Sequence, residues 1–156
     1  ASTAGASGTT GQTTSIIYND LVTLEHSIDP TYRQNAEFMF ADSTLLVLKK
    51  LKDGEGRPLW APGMVGGVPD RILGYKYVIN QDVPVMAANA KSILFGDMSH
   101  FAIRDVAGSV LLRLTERYAE YGQVGFILFS RHDSKLLVAG TAAARYPIKH
   151  YANSAA

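Results

Sequence analysis

The sequence predicts an α+β fold, a mixed central sheet flanked by helices, on three observations. Short apolar runs bounded by Gly, Pro and Asp cluster between Ser92 and Arg131 and read as strands. Two upstream segments carry apolar residues at helical spacing. Finally, 156 residues with 47% hydrophobic and 19% charged content suffice for a buried core and argue against disorder.

The predicted sheet begins with Ile93 to Phe95, Phe101 to Ile103 and Val110 to Leu114, separated by Gly96-Asp97 and by Asp105 to Gly108. A fourth run, Val124 to Phe129, follows the polar stretch Glu116 to Gln123 and is apolar at nearly every position. That pattern predicts a strand covered on both faces, so Phe126→Asp is expected to unfold the domain by burying an unpaired charge.

The remaining elements follow in chain order. Residues 1–15 are Ala, Ser, Thr and Gly with a single Gln, a composition that predicts a flexible lead-in because it buries too little to offset its ordering entropy. Ile17, Leu21, Leu24 and Ile28 share one helical face, and Pro30 disfavours helix at Asp29, so a helix should run from Tyr18 to about Ile28. Tyr32 and Arg33 then occupy a turn before an aromatic-rich strand, Glu37 to Ala41. Asp42 and Ser43 are N-cap candidates for a helix over Thr44 to Lys52, with Leu45, Leu48 and Leu51 inward. Asp53 to Asp70 is dense in Gly and Pro and reads as a long loop around the only tryptophan, Trp60. Leu73 to Asn80 reads as a strand, His132 to Lys135 as a turn and Leu136 to Val138 as a last short strand, before a tail that frays after Pro147.

Several chemistries find no support. A net charge of +1 lacks the basic excess of a nucleic-acid binder. The absence of cysteine excludes disulfides and thiolate sites, and no apolar run approaches the roughly 20 residues of a membrane helix. The GMVGG passage at residues 63–67 has no GK[ST] ending, no serine sits in a G-x-S-x-G elbow, and the four histidines lack metal-ligand spacing. Asp97 and Asp105 flank a predicted strand, but both fall at turns where Asp is expected for local bonding. No catalytic, cofactor-binding or metal-binding residue is therefore expected. Arg57 and Trp60, residue types enriched at interface centres, instead make the Gly/Pro loop a candidate contact surface.

The LFGD strand at 94–97, the strand ending IRD at 103–105, ERYAEYGQVGF at 116–126 and SRHDSKLL at 130–137 together resemble the C-terminal part of a tailed-bacteriophage major capsid protein, of the phage capsid family with the Hong Kong 97-like fold. YNDLVTLEHSIDPTYRQNAEFMF, STLLVLKKLKDGEGRPLW and ILGYKYVINQDVP extend the resemblance upstream in the same order, so that it spans about Ile17 to Lys149. It implies an axial-type domain over 16–118, a strand and tail of a peripheral-type domain over 119–151, and a disordered tail over 152–156. The chain, which begins without Met, is then expected to be a fragment of a longer protein. Arg33, in the Asp-Pro-x-Tyr-Arg turn, joins Arg57 and Trp60 as a subunit-interface candidate.

The implied function is structural rather than enzymatic. Copies would assemble through hexamers and pentamers into an icosahedral shell that encloses phage DNA without reading its sequence. Scaffold, portal or cement proteins are further implied partners, no membrane is involved, and the particle would be built in the bacterial cytoplasm. Some members crosslink subunits through a lysine, an asparagine and a glutamate. Gly122 and Phe129 stand where the asparagine and glutamate would fall, so noncovalent contacts are expected instead. The alternatives are a small-molecule-binding or enzymatic α+β domain with the Gly/Pro loop as a lid, and a nonviral nanocompartment shell.

Overall fold

A computed structural model describes residues 3–59, 71–106, 108–137 and 146–155. In chain order the elements are β1 (Thr3–Ser7), α1 (Tyr18–His26), α2 (Pro30–Arg33), β2 (Glu37–Phe40), α3 (Asp42–Lys49), β3 (Lys76–Ile79), β4 (Lys91–Gly96), β5 (Phe101–Asp105), β6 (Val110–Leu114), β7 (Gly125–Phe129), β8 (His132–Leu136) and β9 (Ile148–Ala152). They fall into two compact units, Ala1–His100 with Val138–Ala156, and Phe101–Leu137.

The first unit is built on a five-stranded mixed sheet in the order β1-β9-β4-β2-β3. β1 runs parallel to β9 and β3 parallel to β2, while the central β4 runs antiparallel to both of its neighbours, β9 and β2. Alternation along β2 sends Phe38 and Phe40 to the interior, both 0% exposed. Register sets Phe38 opposite Phe95 and Phe40 opposite Ile93, and the Phe38 and Phe95 rings lie 4.3 Å apart. Leu21, Leu24 and Ile28 from the α1 region and Leu45 and Leu48 from α3 close the same core. The helices form where periodicity predicts them. Asp20 Oδ2 accepts from the Ile17 backbone N–H at 3.4 Å, satisfying one of the free donors at the α1 N-terminus. Pro30 does end that helix, and the chain immediately starts the one-turn α2, capped by Asp29 accepting from Thr31 N–H at 3.0 Å. α3 begins at Asp42, earlier than expected, with Ala41 at its N-cap and no side-chain cap bond.

Two expectations fail, both at the chain ends. The small-residue segment predicted as a flexible lead-in contains β1, because small residues let this strand lie against α1: a Cβ on Gly5 would sit 2.8 Å from Leu24 Cδ1. The tail predicted to fray carries β9 and is stitched in by polar bonds. Asn153, 3% exposed, accepts from Ser92 Oγ at 2.6 Å and donates from its amide nitrogen to Gln12 O at 3.3 Å. Within the predicted long loop, Asp53 to Leu59 carries no helix or strand and closes as a turn at a hairpin end, while the remainder of the loop lies outside the described residues: Asp53 Oδ1 accepts from the Glu55 and Arg57 amides, and Leu59 N–H donates to Leu51 O at 2.9 Å. Gly96 is required where β4 meets the start of β9. Its φ is +149°, and a Cβ there would come within 2.6 Å of Ile148 Cα.

The second unit is a ribbon of two nested two-stranded ladders, β5 with β8 and β6 with β7, both antiparallel. The turn joining β6 to β7 contains a 3-10 segment, Ala119–Tyr121, closed by Gly122 at φ +65°. β8 falls where a turn was predicted, since His-Asp-Ser-Lys-Leu carries no strand-like apolar pattern and is paired only because β5 lies opposite. A further correction concerns β7. Phe126 is 64% exposed and Phe129 54%, because each strand of this ribbon has a single neighbour and no second layer among the unit's described residues.

Candidate subunit interface

Of the three sequence-derived contact residues, the structure describes Arg33 and Arg57, which sit in different surroundings. Trp60 and the GMVGG passage lie outside the described residues. Arg57 projects from the hairpin end with its side chain 76% exposed and pairs with Glu55 at 2.8 Å, a solvated contact of small energetic weight. Arg33 is tied inward: Nε donates to Ile28 O at 2.9 Å, Nη2 donates to His26 O at 3.3 Å, and Nη1 lies 3.3 Å from His26 Nδ1. It thereby satisfies carbonyls freed at the C-terminal end of α1. Its remaining surface lines a cleft with Glu37, Arg71, Tyr75 and Lys76.

A larger exposed apolar surface, which residue type alone does not mark, is the ribbon itself. Residues directly opposed in an antiparallel ladder share a face. On one face of β6–β7 lie Leu111 opposite Leu128 and Arg113 opposite Phe126; on the other lie Val110 opposite Phe129 and Leu112 opposite Ile127. Exposures of 63% for Leu111 and Leu128 on the first face, and of 52% and 46% for Val110 and Leu112 on the second, leave both sides open. The β5–β8 half differs. Phe101 opposite Leu136 and Ile103 opposite Ser134 make one face apolar only as far as the Asp105–His132 pair, whereas Ala102 opposite Lys135 and Arg104 opposite Asp133 make the other polar. Contiguous apolar surface on both faces of a thin ribbon is the surface character of a candidate association site. The legible signal is the near-continuous apolar run that predicts double cover; the described residues of its own unit do not supply that cover.

Polar groups elsewhere serve the fold. His132 Nδ1 lies 2.7 Å from Asp105 Oδ1, and its Nε2 contacts Ser130 Oγ. This Ser-His-Asp sequence of contacts, unanticipated from spacing, has the order of a hydrolase triad. Its His and Asp side chains are 64% and 72% exposed, so water competes for each bond and the set acts as a clamp on β5–β8 register. Asp97 binds locally instead, accepting from the Ser99 amide at 3.0 Å and Ser99 Oγ at 2.6 Å. No group of three or more metal-ligating side chains occurs among the described residues. In the first unit, burial raises the Asp20 carboxyl above its ordinary range. Burial, then the Asp20 charge and its hydrogen bond, push the Tyr151 phenol up to about 12. Burial, helped by the Lys91 charge, lowers His150. These shifts are those of packed polar groups inside a core.

The phage capsid family model matches residues 1–144. Among solved structures, the capsid of an empty GTA particle is 28% identical with a TM-score of 0.67, over 93% of this chain and 48% of that one. The capsid of a native GTA particle is 26% identical with a TM-score of 0.64, over 98% and 52%. A structure from Mycobacterium phage Bobi shares the fold at 14% identity, with a TM-score of 0.62 over 96% and 50%. No curated protein matches. This chain spans about half the length of the capsid chains it resembles. With the family model matched over residues 1–144, the chain belongs to the phage capsid family.

Proposed function

We propose that this chain is part of a major capsid protein whose copies build an icosahedral phage shell around DNA, through pentamers and hexamers. The observation that carries the reading is the β6–β7 ribbon, whose two faces both present apolar side chains to solvent in the single chain. A strand needing cover on both sides, with one neighbour in its own unit, is suited to completion by surfaces beyond that unit. The first unit is then the axial-type domain around capsomer centres. The peripheral-type domain holds the strand and tail over 119–151, and the separate compactness of Phe101–Leu137 favours extending it back to Phe101. Arg57, Trp60 and Arg33 remain contact candidates on the axial side. The shell is held without the family's isopeptide, with scaffold, portal or cement proteins as additional partners and the phage-infected bacterial cytoplasm as the place of assembly. The role is structural, exerted through geometry repeated many times.

The test is sedimentation velocity with negative-stain imaging of the full-length protein from which this sequence comes. Megadalton closed shells, lost when Phe126 and Leu128 are both replaced by Asp, are the expected result. A protein that stays small under every assembly condition would overturn the reading.

A further inference from the structure

The cleft beside Arg33 is lined by an excess of positive charge, from Arg33, Arg71 and Lys76 against Glu37. Its walls are the α2–β2 connection and the turn into β3, enclosing about 490 Å³. Arg33 is held by the α1 carbonyls described above. Arg71 Nη1 donates to Gly74 O at 3.0 Å, so both guanidiniums are oriented by neutral backbone acceptors. Glu37 and Lys76 stand opposite each other in the β2–β3 register, and their charges offset within the cleft. The nearby Glu25 carboxylate accepts from Tyr75 OH at 3.1 Å. Among the described residues, Arg33 and Arg71 form no ion pair with a carboxylate. Two guanidinium forks held by carbonyls, with donors left over, suit carboxylates better than a point cation would.

We propose that this cleft is a docking site for an acidic peptide segment of a partner protein, which places carboxylates on Arg33 and Arg71. Its dimensions suit a few side chains, as ligand clefts of this volume do. DNA is the poorer fit. Duplex binding uses an extended stripe of cations along a surface, whereas these cations converge in a concavity that also contains Glu37. The proposal does not depend on shell assembly.

The experiment is an amide-resolved NMR titration of the whole chain with N-acetylated, C-amidated tetraglutamate. Shifts are expected to gather at Gln34 to Glu37 and Gly74 to Lys76 and to weaken as salt is raised. Arg71→Gln should weaken binding about tenfold, the loss of a charge-assisted bond, while amides of β4 and β9 keep their positions. Lys76→Gln, at an exposed strand position, provides a second variant with a smaller expected loss. The proposal is overturned if tetraglutamate produces no localised shifts, if Arg71→Gln and Lys76→Gln both bind as the parent does, or if a short DNA duplex moves the same amides more tightly than the peptide.

Discussion

β2 and β7 have nearly the same chemistry and opposite fates. Glu-Phe-Met-Phe in β2 and Gly-Phe-Ile-Leu-Phe in β7 are both aromatic, apolar strands. Phe38 and Phe40 are 0% exposed while Phe126 is 64% exposed. β2 has a strand on each side and helices over its inward face, whereas β7 has only β6. An apolar strand therefore states a need for cover without saying which part of which molecule supplies it.

The sharpest way to break that contrast is Phe38→Ala. Removing a fully buried ring packed on Phe95 and Tyr75 should cost about 3–5 kcal/mol, measured by urea denaturation; a loss under about 1 kcal/mol would mean that the first unit is no better packed than the ribbon. Next in size is native-state hydrogen exchange. Bonded amides of β2 and β4 should exchange at least about 100-fold more slowly than those of β6 and β7, since an isolated two-stranded ribbon is marginally stable in water. Equal protection would require the ribbon to be covered within the single chain.

A pH series sharpens the first unit's side of the comparison. His150 is buried and its folded-state pKa lies below the ordinary value of 6.5. Below that pH the unfolded chain takes up a proton that the folded chain refuses, so stability should fall as pH drops through 6.5 until the folded imidazole also titrates. His150→Gln should flatten this part of the profile, read as midpoint denaturant against pH. The smallest expected effect is the most telling. In this chain Phe126→Asp should change stability by no more than about 0.5 kcal/mol, as at other open surface positions, against the unfolding expected if the strand were enclosed. Unfolding would restore the enclosed-strand reading.

Elements whose own side chains demand burial were legible. Leu21, Leu24 and Ile28 announce α1, Pro30 its end, and Phe38, Phe40, Ile93 and Phe95 the centre of the sheet. The misses share a cause. β1 is made of small residues, β8 is mostly polar, and β9 mixes Lys149 and His150 with Ile148 and Tyr151. Each is a strand because a neighbour offers it a ladder, which no local pattern encodes. The candidate interface divides the same way. Residue type marks Arg57, which the structure leaves solvated, whereas the ribbon surface emerges only when β6 and β7 are placed in register and their side chains are found exposed on both faces.

The sequence by itself determined the α+β class, the helical faces, the central strands and the absence of any spacing for common catalytic or metal chemistry. Side-chain apolarity and backbone punctuation act over a few residues and can be read one segment at a time. Only the tertiary structure decided that both chain ends enter the sheet, that residues 101–137 leave it as a separate ribbon, and that Arg33 and Arg71 line one cleft. Those outcomes depend on which distant segments pair, and pairing is a property of the assembled chain.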